Sequence, residues 1–431
     1  MNSLWQQIKE LKESELVKNS TKLLSANVIA QVVGLLIYPI LTIFFMPDDF
    51  GLLNLFLSIG GVIIIVANAE IQYAVVLPKS EKRAIACFHN GFFCIMIVSL
   101  ICVVAIPLTP YIASLFNAPE LNSWLKYLPL YVFFSALWIL LNFWFTRKKA
   151  YGKISKYQLM LCGSTSVMKC SAGYIGLSAI SLLISTIIGQ LIALSITLKS
   201  NFYKLISQLF IIDKEECCNA IKEYANFPKY SLPRALINYF SGNLPYFMLT
   251  PYFGLTEIGF LGMAFTLAYR PLNMVCNSIN QVLFQKVSEM VQNGKVFMPI
   301  LIKFVRNTMF LAIPVFIALY FVLPQLTAFL LGDKWATTGE YISIMLPWLL
   351  LVCVNMSLNF IPDIFQKQRG LLIFEIIYIM LRIISLIIGI SSNNFRLAII
   401  LYSLTGVVVL VLQCIWFYFI CKRYHLSISK K

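Results

Sequence analysis

The sequence predicts an all-α polytopic membrane protein, with about 12 transmembrane helices in two six-helix bundles related by a parallel pseudo-two-fold repeat. Three observations predict it: the apolar share, the placement of Lys and Arg, and a match of the chain to itself. Of 431 residues, 59% are apolar or aromatic and 12% are charged, against about 25% charged in soluble domains. A transmembrane helix takes about 20 apolar residues, so about 12 of them would use most of the apolar total. The apolar runs are continuous rather than alternating, which excludes a β-barrel. A soluble enzyme, a disordered chain and a disulfide scaffold are excluded on the same grounds.

Taken in order, the spans are predicted at 23–46, 52–77, 85–107, 124–145, 157–176, 179–198, 231–253, 258–285, 296–323, 342–364, 371–391 and 396–421. Topology follows from the net charge of +16, which a soluble protein would explain by nucleic acid and a membrane protein explains by cytoplasmic loops. With the N-terminus inside, the inner segments hold 27 of the 34 Lys and Arg and the outer ones 3, namely Lys126, Lys334 and Arg396. That split predicts both termini in the cytoplasm and no nucleic-acid partner. The organisation is a cytoplasmic N-terminal segment 1–22, an N-lobe 23–198, a cytoplasmic bridge 199–230, a C-lobe 231–421 and a cytoplasmic tail 422–431. Leu4, Ile8 and Leu11 share one face, so the first segment is a candidate to lie along the inner membrane surface. The first apolar run follows a charged stretch and is too long for a signal-peptide core, so no cleaved leader is expected. The eleven cysteines lack zinc-type spacing and read as packing residues.

Sliding the chain by 208 residues lays 34–53 on 242–261 without a gap, and eight of the twenty positions are identical. The pairs include Gly34/Gly242, Tyr38/Tyr246, Leu41/Leu249, Thr42/Thr250, Gly51/Gly259 and Leu53/Leu261. Ser80-Glu81 falls on Ser288-Glu289 at the same offset. Span 1 thus repeats in span 7 and span 2 in span 8, in the same orientation. The glycines are expected to let a lining helix approach its neighbour.

Polar groups are costly in lipid, so their placement carries information. Asn27, Gln31, Gly34 and Tyr38 form a stripe in span 1, and Arg234, Asn238 and Ser241 form one in span 7. Span 8 carries Arg270, Asn273, Asn277 and Asn280; span 2 ends in Asn68, Glu70 and Gln72; span 10 carries Asn355, Asn359 and Asp363. Each Asn alone is explained by hydrogen bonding between helices. Four repeat-matched helices with polar faces point instead to a shared water-filled cavity. Counting about 1.5 Å per residue sets Arg270, Lys169 and Arg382 near the midplane. They read as a cationic substrate-binding set together with Asn273, Asn277, Asn27, Gln31, Arg234 and Asn238. Glu70, Asp363 and Glu375 lie toward the cytoplasmic third and are candidates for proton or sodium coupling. No phosphate-binding P-loop, cofactor motif or metal cluster is visible, and no catalytic residue stands out, so an enzyme is not expected.

The stretch 23–59, LLSANVIAQVVGLLIYPILTIFFMPDDFGLLNLFLSI, followed by AVVLPKSEK at 74–82, resembles the opening of bacterial lipid-linked oligosaccharide flippases. These are the Wzx-type O-antigen transporters of the multidrug/oligosaccharidyl-lipid/polysaccharide (MOP) superfamily. GFLGMAFTLAYRPLNMV at 259–275 and VLFQKVSE at 282–289 are similar to the matching region of the second half. Gln285-Lys286 departs from the pattern, because a proline-containing turn like that at Pro78 is expected there. The resemblance implies two six-helix bundles forming a V, with spans 1, 2, 7 and 8 lining a central portal. It also implies transport of an undecaprenyl-pyrophosphate-linked glycan across the inner membrane. The polysaccharide polymerase and other assembly proteins are then candidate partners. An ion-coupled drug or cation antiporter of the same superfamily and a non-transporting scaffold are the alternatives. The basic midplane counts against the first and the polar stripes against the second.

Overall fold

The computed structural model describes residues 28–199 and 213–428. The expectations for the segment 1–22, for Asn27 and for the first part of the bridge lie outside those residues. The chain divides into two compact units, Met1–Asn243 and Leu244–Lys431. In the first unit the longer helices are α1 Val28–Phe44, α2 Pro47–Asn68, α3 Glu81–Val104, α4 Leu128–Arg147, α5 Tyr151–Tyr174, α6 Ile180–Leu198 and α7 Lys214–Glu223, with two short ones, Thr109–Leu115 and Leu121–Leu125, between α3 and α4. Helix α8, Leu232–Ala264, begins there and runs into the second unit, which continues with α9 Arg270–Gln292 and α10 Met298–Leu331. Then follow α11 Ala336–Leu358, α12 Gln368–Ser391 and α13 Phe395–Ile428. No strand occurs among the described residues. Helices α2, α3, α4, α6, α10, α11, α12 and α13 lie in stretches long and apolar enough to cross a membrane. The all-helical membrane fold is therefore as expected, and the cysteines are all free thiols.

The repeat has a physical counterpart in helix breaks and burial. Met46, in extended backbone, separates α1 from α2, with Pro47 opening α2 and Asp49 Oδ2 accepting from the Met46 N–H at 2.7 Å. Its partner at the 208-residue offset is Gly254, which breaks α8 with φ 81° and ψ 178°. That conformation is open to glycine and strained for any residue with a Cβ. Spans 7 and 8 therefore meet at Gly254. Leu41, Thr42, Leu53 and their partners Leu249, Thr250, Leu261 are all buried. Gly34 and Gly242, however, both face open space. The expected close helix approach at these glycines is absent among the described residues.

Several boundaries moved. Span 2 ends at Asn68 rather than 77, because Ala69 and Glu70 adopt left-handed backbone at φ 46° and 60°. A short 3-10 turn, Ile71–Val75, follows. The stripe drawn through Asn355, Asn359 and Asp363 is interrupted. Helix α11 stops at Leu358, and Asp363 sits in a separate turn, Ile361–Ile364, opened by Pro362. At Gln285-Lys286 no turn forms: α9 stays helical to Gln292, and the chain reverses at Gly294, φ 64°. Without proline, nothing removes the backbone donor that Pro78 lacks in the first unit. Ser288 consequently lies inside a helix, whereas Ser80 caps α3 by accepting from the Arg83 N–H at 3.2 Å.

Packing separates interior from lipid-facing side chains. Between transmembrane helices it is van der Waals fit, rather than the hydrophobic effect, that selects partners. In the first unit Phe56 is enclosed by Trp124 and Tyr131 at 6.3 and 5.4 Å between ring centroids. In the second, a core of Leu249, Met345, Trp348, Leu386 and Tyr402 joins α8, α11, α12 and α13. By contrast α10 buries few side chains, and Phe310 and Phe329 are 82% and 85% exposed. In an aqueous domain that would be costly; in a bilayer these side chains contact lipid.

Helix α7 shows how the described part of the bridge is held. Asp213 caps it, accepting from the N–H groups of Glu215 and Glu216 at 3.1 Å each. Across to α3, Lys82 pairs with Asp213 at 2.8 Å and Arg83 with Glu216 at 2.8 Å and Glu223 at 3.4 Å. Asn90 donates to the Cys217 carbonyl at 3.0 Å. The hydrogen bond from Lys82 holds the Asp213 carboxyl below the usual range, and Asp213 in turn raises Lys82.

Candidate functional site

The helices that carry most of the predicted binding residues are the ones too polar to rank with the eight apolar spans. They are α5 with Lys169, α8 with Arg234 and Asn238, and α9 with Arg270, Asn273 and Asn277. Their polar faces need water, ligand or protein partners.

In the first unit the left-handed break after α2 turns Glu70 toward the start of α8. Gln72 hydrogen-bonds the Glu70 carboxylate, and Arg234 acts on it electrostatically. Tyr73 joins the same group, stacking on Phe227 at 6.1 Å and meeting Phe143 edge-on at 4.9 Å. Arg147 fixes the loop below by donating to the carbonyls of Pro78 at 2.6 Å and Val76 at 3.2 Å. The start of α8 is tied to α2 by Tyr239, whose hydroxyl donates to the Leu57 carbonyl at 3.2 Å, and by Ser58, whose hydroxyl donates to Asn243 at 3.0 Å. Gln31, Arg234 and Asn238 are exposed, and Lys169 is half-buried.

In the second unit a wide, π-type turn at Phe265–Tyr269 precedes Arg270, and Pro271 follows it. The helical backbone runs through this turn without a break, so Pro271 removes a donor that would otherwise bond back along the helix, and the widened turn lies where that bond is missing. Arg270 is exposed and forms no ion pair or hydrogen bond with a described residue. One turn on, Asn277 donates to Asn273, and Asn280 donates to the Met356 carbonyl at 2.8 Å.

Arg382 has a different setting. It is 6% exposed and lies at 3.9, 4.4 and 5.5 Å from the ring centroids of Tyr378, Tyr402 and Trp348. Its Nη2 donates to the Tyr378 hydroxyl at 2.6 Å, which also accepts from Trp348 Nε1 at 3.0 Å. Trp348 stacks on Tyr269 at 5.6 Å with rings 8° from parallel. The buried guanidinium is thus a hub of cation–π contacts, and through Trp348 it reaches Tyr269, the residue before Arg270. None of Tyr269, Trp348, Tyr378 or Tyr402 was singled out from sequence. The i, i+4 spacing of Tyr378 and Arg382 was the available signal; the other rings come from α11, α13 and the turn before α9.

Of the predicted residues, the structure joins Asn273 to Asn277 by a hydrogen bond and sets Arg234 within electrostatic range of Glu70, without an ion pair between them among the described residues. It encloses Arg382 and leaves Arg270 and Asp363 exposed. Glu375 is half-buried on α12.

The fold is shared with transporters of the MOP superfamily. A multidrug-resistance MATE family transporter in an inward-facing conformation aligns at a TM-score of 0.70 and 14% identity, covering 92% of this chain and 96% of that one. The lipid II flippase MurJ in an inward closed conformation aligns at 0.73 and 14% identity, covering 94% of this chain and 90% of that one. The sequence profile of the polysaccharide biosynthesis protein family matches residues 40–340, and the chain belongs to that family. Comparison with curated proteins yields no match.

Proposed function

We propose that this protein is a flippase that carries undecaprenyl-pyrophosphate-linked oligosaccharide repeat units across the bacterial inner membrane, by alternating access, for O-antigen, capsule or related surface polysaccharide. The observation that carries the reading is Arg270: an exposed guanidinium with no described ion-pair or hydrogen-bond partner, at the proline-marked start of an asparagine-rich helix. An arginine fork matches the oxygens of a phosphate and remains charged at every physiological pH. Membership in a polysaccharide biosynthesis family supports the glycan cargo, and the existence of a lipid II flippase with this fold supports the lipid anchor.

Lys169 adds a second cation to the head-group path, and Gln31, Asn238, Asn273 and Asn277 supply hydrogen bonds suited to sugar hydroxyls. Arg382 acts one step removed: its aromatic contacts hold Trp348 and Tyr269, and so orient Arg270. Glu70, within electrostatic range of Arg234, together with Asp363 and Glu375, are the candidate groups for proton or sodium coupling. Polysaccharide polymerase and other assembly proteins would take up the product.

The test is complementation of a flippase-null bacterial strain, scored by surface polysaccharide. Restoration supports the reading. Stable expression without restoration across strains of several repeat-unit types overturns it.

A further inference from the structure

The second unit holds a cavity of about 1210 Å³ between the start of α12 and the end of α13. Lys367, Arg369 and Arg423 line it, no carboxylate does, and none of the three is in an ion pair among the described residues. Three like charges around one space repel, and a bound anion relieves that repulsion. Helix α12 adds to the positive potential, because it starts at this place with no side-chain cap on its first N–H groups.

The walls are built rather than loose. Trp416 packs so closely on Gly370 that a Cβ there would lie 2.4 Å from the indole, and it meets Phe374 at 5.3 Å. Beneath, Phe365 contacts Tyr424 at 5.3 Å and Phe297 at 6.0 Å, and the Tyr424 hydroxyl donates to the Val291 carbonyl at 3.1 Å. Phe419 stays exposed at the rim.

The composition decides the ligand class. Both α12 and α13 lie in membrane-crossing stretches, and the cavity sits where one begins and the other ends. Cations beside Trp and Phe at helix ends match the interface, where lipid head groups and the first atoms of their chains reside. A free inorganic anion would leave most of the volume and the aromatic wall without contacts. We propose that this cavity binds the phosphate head group of a lipid, with Lys367, Arg369 and Arg423 as its charge partners and Trp416 and Phe419 against the adjoining chain atoms. The inference does not depend on what the protein transports.

The experiment measures lipid retained by the purified full chain, using native mass spectrometry and fluorescent-lipid competition. The probes are phosphatidylglycerol, phosphatidylcholine, a prenyl pyrophosphate and inorganic pyrophosphate. The expected result is selective binding of phosphatidylglycerol over phosphatidylcholine, reduced at least tenfold in a Lys367→Gln, Arg369→Gln, Arg423→Gln triple variant. Gly370→Leu, which displaces Trp416 without touching charge, should also reduce it; Arg369→Gln alone serves if the triple variant fails to fold. Displacement by prenyl pyrophosphate would make the transported lipid a source of the head group; binding of phosphatidylglycerol without such displacement would make it a resident membrane lipid. Unchanged binding in the variants, no preference for the anionic lipid, or equal competition by inorganic pyrophosphate would overturn the proposal.

Discussion

Arg270 and Arg382 carry the same charge and meet opposite fates. One is exposed beside Pro271; the other is enclosed by Tyr378, Tyr402 and Trp348. The proposed function makes different demands of each. Replacing Arg270 should leave folding intact and impair export: Arg270→Lys keeps part, Arg270→Ala loses most, and Arg270→Glu loses all, at equal protein level. Normal export by a stably inserted Arg270→Ala would exclude it as a phosphate contact. Arg382→Ala removes a charge-assisted hydrogen bond and its cation–π contacts, so it should cost about 2–4 kcal/mol of stability. Thermal unfolding in detergent reads that loss. Arg382→Lys should recover little of it, because an ammonium lacks the flat face that stacks against the rings. Retained stability in both variants would mean that the aromatic cage holds itself.

Helices meet through contacts that can be tested one Cβ at a time. At Gly339 a Cβ would lie 2.5 Å from the Leu323 carbonyl, and at Gly389 2.5 Å from the Ala398 Cα, both backbone atoms that cannot swing aside. Gly339→Ala and Gly389→Ala should each destabilise by about 1–3 kcal/mol through overpacking. Gly34→Ala and Gly242→Ala meet nothing, so helix propensity should make them neutral or stabilising, by up to about 1 kcal/mol. Melting temperatures of the four variants check the contrast. The clasp between α7 and α3 should respond to pH in a direction fixed by its shifts. Asp213 is depressed, so its contribution is complete above the ordinary carboxylate range and disappears as pH falls through its lowered value. Lys82 is raised, so its contribution is complete below the ordinary lysine range and disappears as pH rises through its raised value. Amide hydrogen exchange of 214–223, corrected for intrinsic rate, should therefore be slowest near neutrality and faster at both extremes. A flat profile would mean that Arg83 with Glu216 and Glu223 holds α7 alone.

For the whole molecule, the 27-to-3 division of Lys and Arg predicts orientation. In a cysteine-free background, a membrane-impermeant thiol reagent should label single cysteines at 48, 120, 257 and 340 from outside. Cysteines at 81, 149, 216 and 367 should react only after permeabilisation. Labelling at 149 or 216 from outside would reverse the topology. It would also move Glu70, Asp363 and Glu375 to the outer side, and with them the proposed direction of ion coupling.

Much of the architecture was legible in one dimension because lipid imposes a severe rule: a span must be apolar and must satisfy its backbone internally. Run length then reveals most helices, charge predicts their direction, and an offset of 208 residues reveals that two segments share one design down to the break at Met46 and Gly254. Polar residues in apolar runs stand out for the same reason, so Arg270, Arg382 and Glu70 could be named in advance. Their surroundings could not. Whether a guanidinium is caged or exposed depends on side chains that arrive from distant helices, as Trp348 and Tyr402 do at Arg382. The end of α2 depends on two left-handed residues, Ala69 and Glu70, that hydropathy does not see. The basic cavity joins 365–370 to 416–424, two short stretches that become one site only when α12 and α13 pack. Composition determined which segments are apolar enough to enter the membrane, because transfer energy adds residue by residue; packing alone decided which side chains face each other, because contact is a property of pairs.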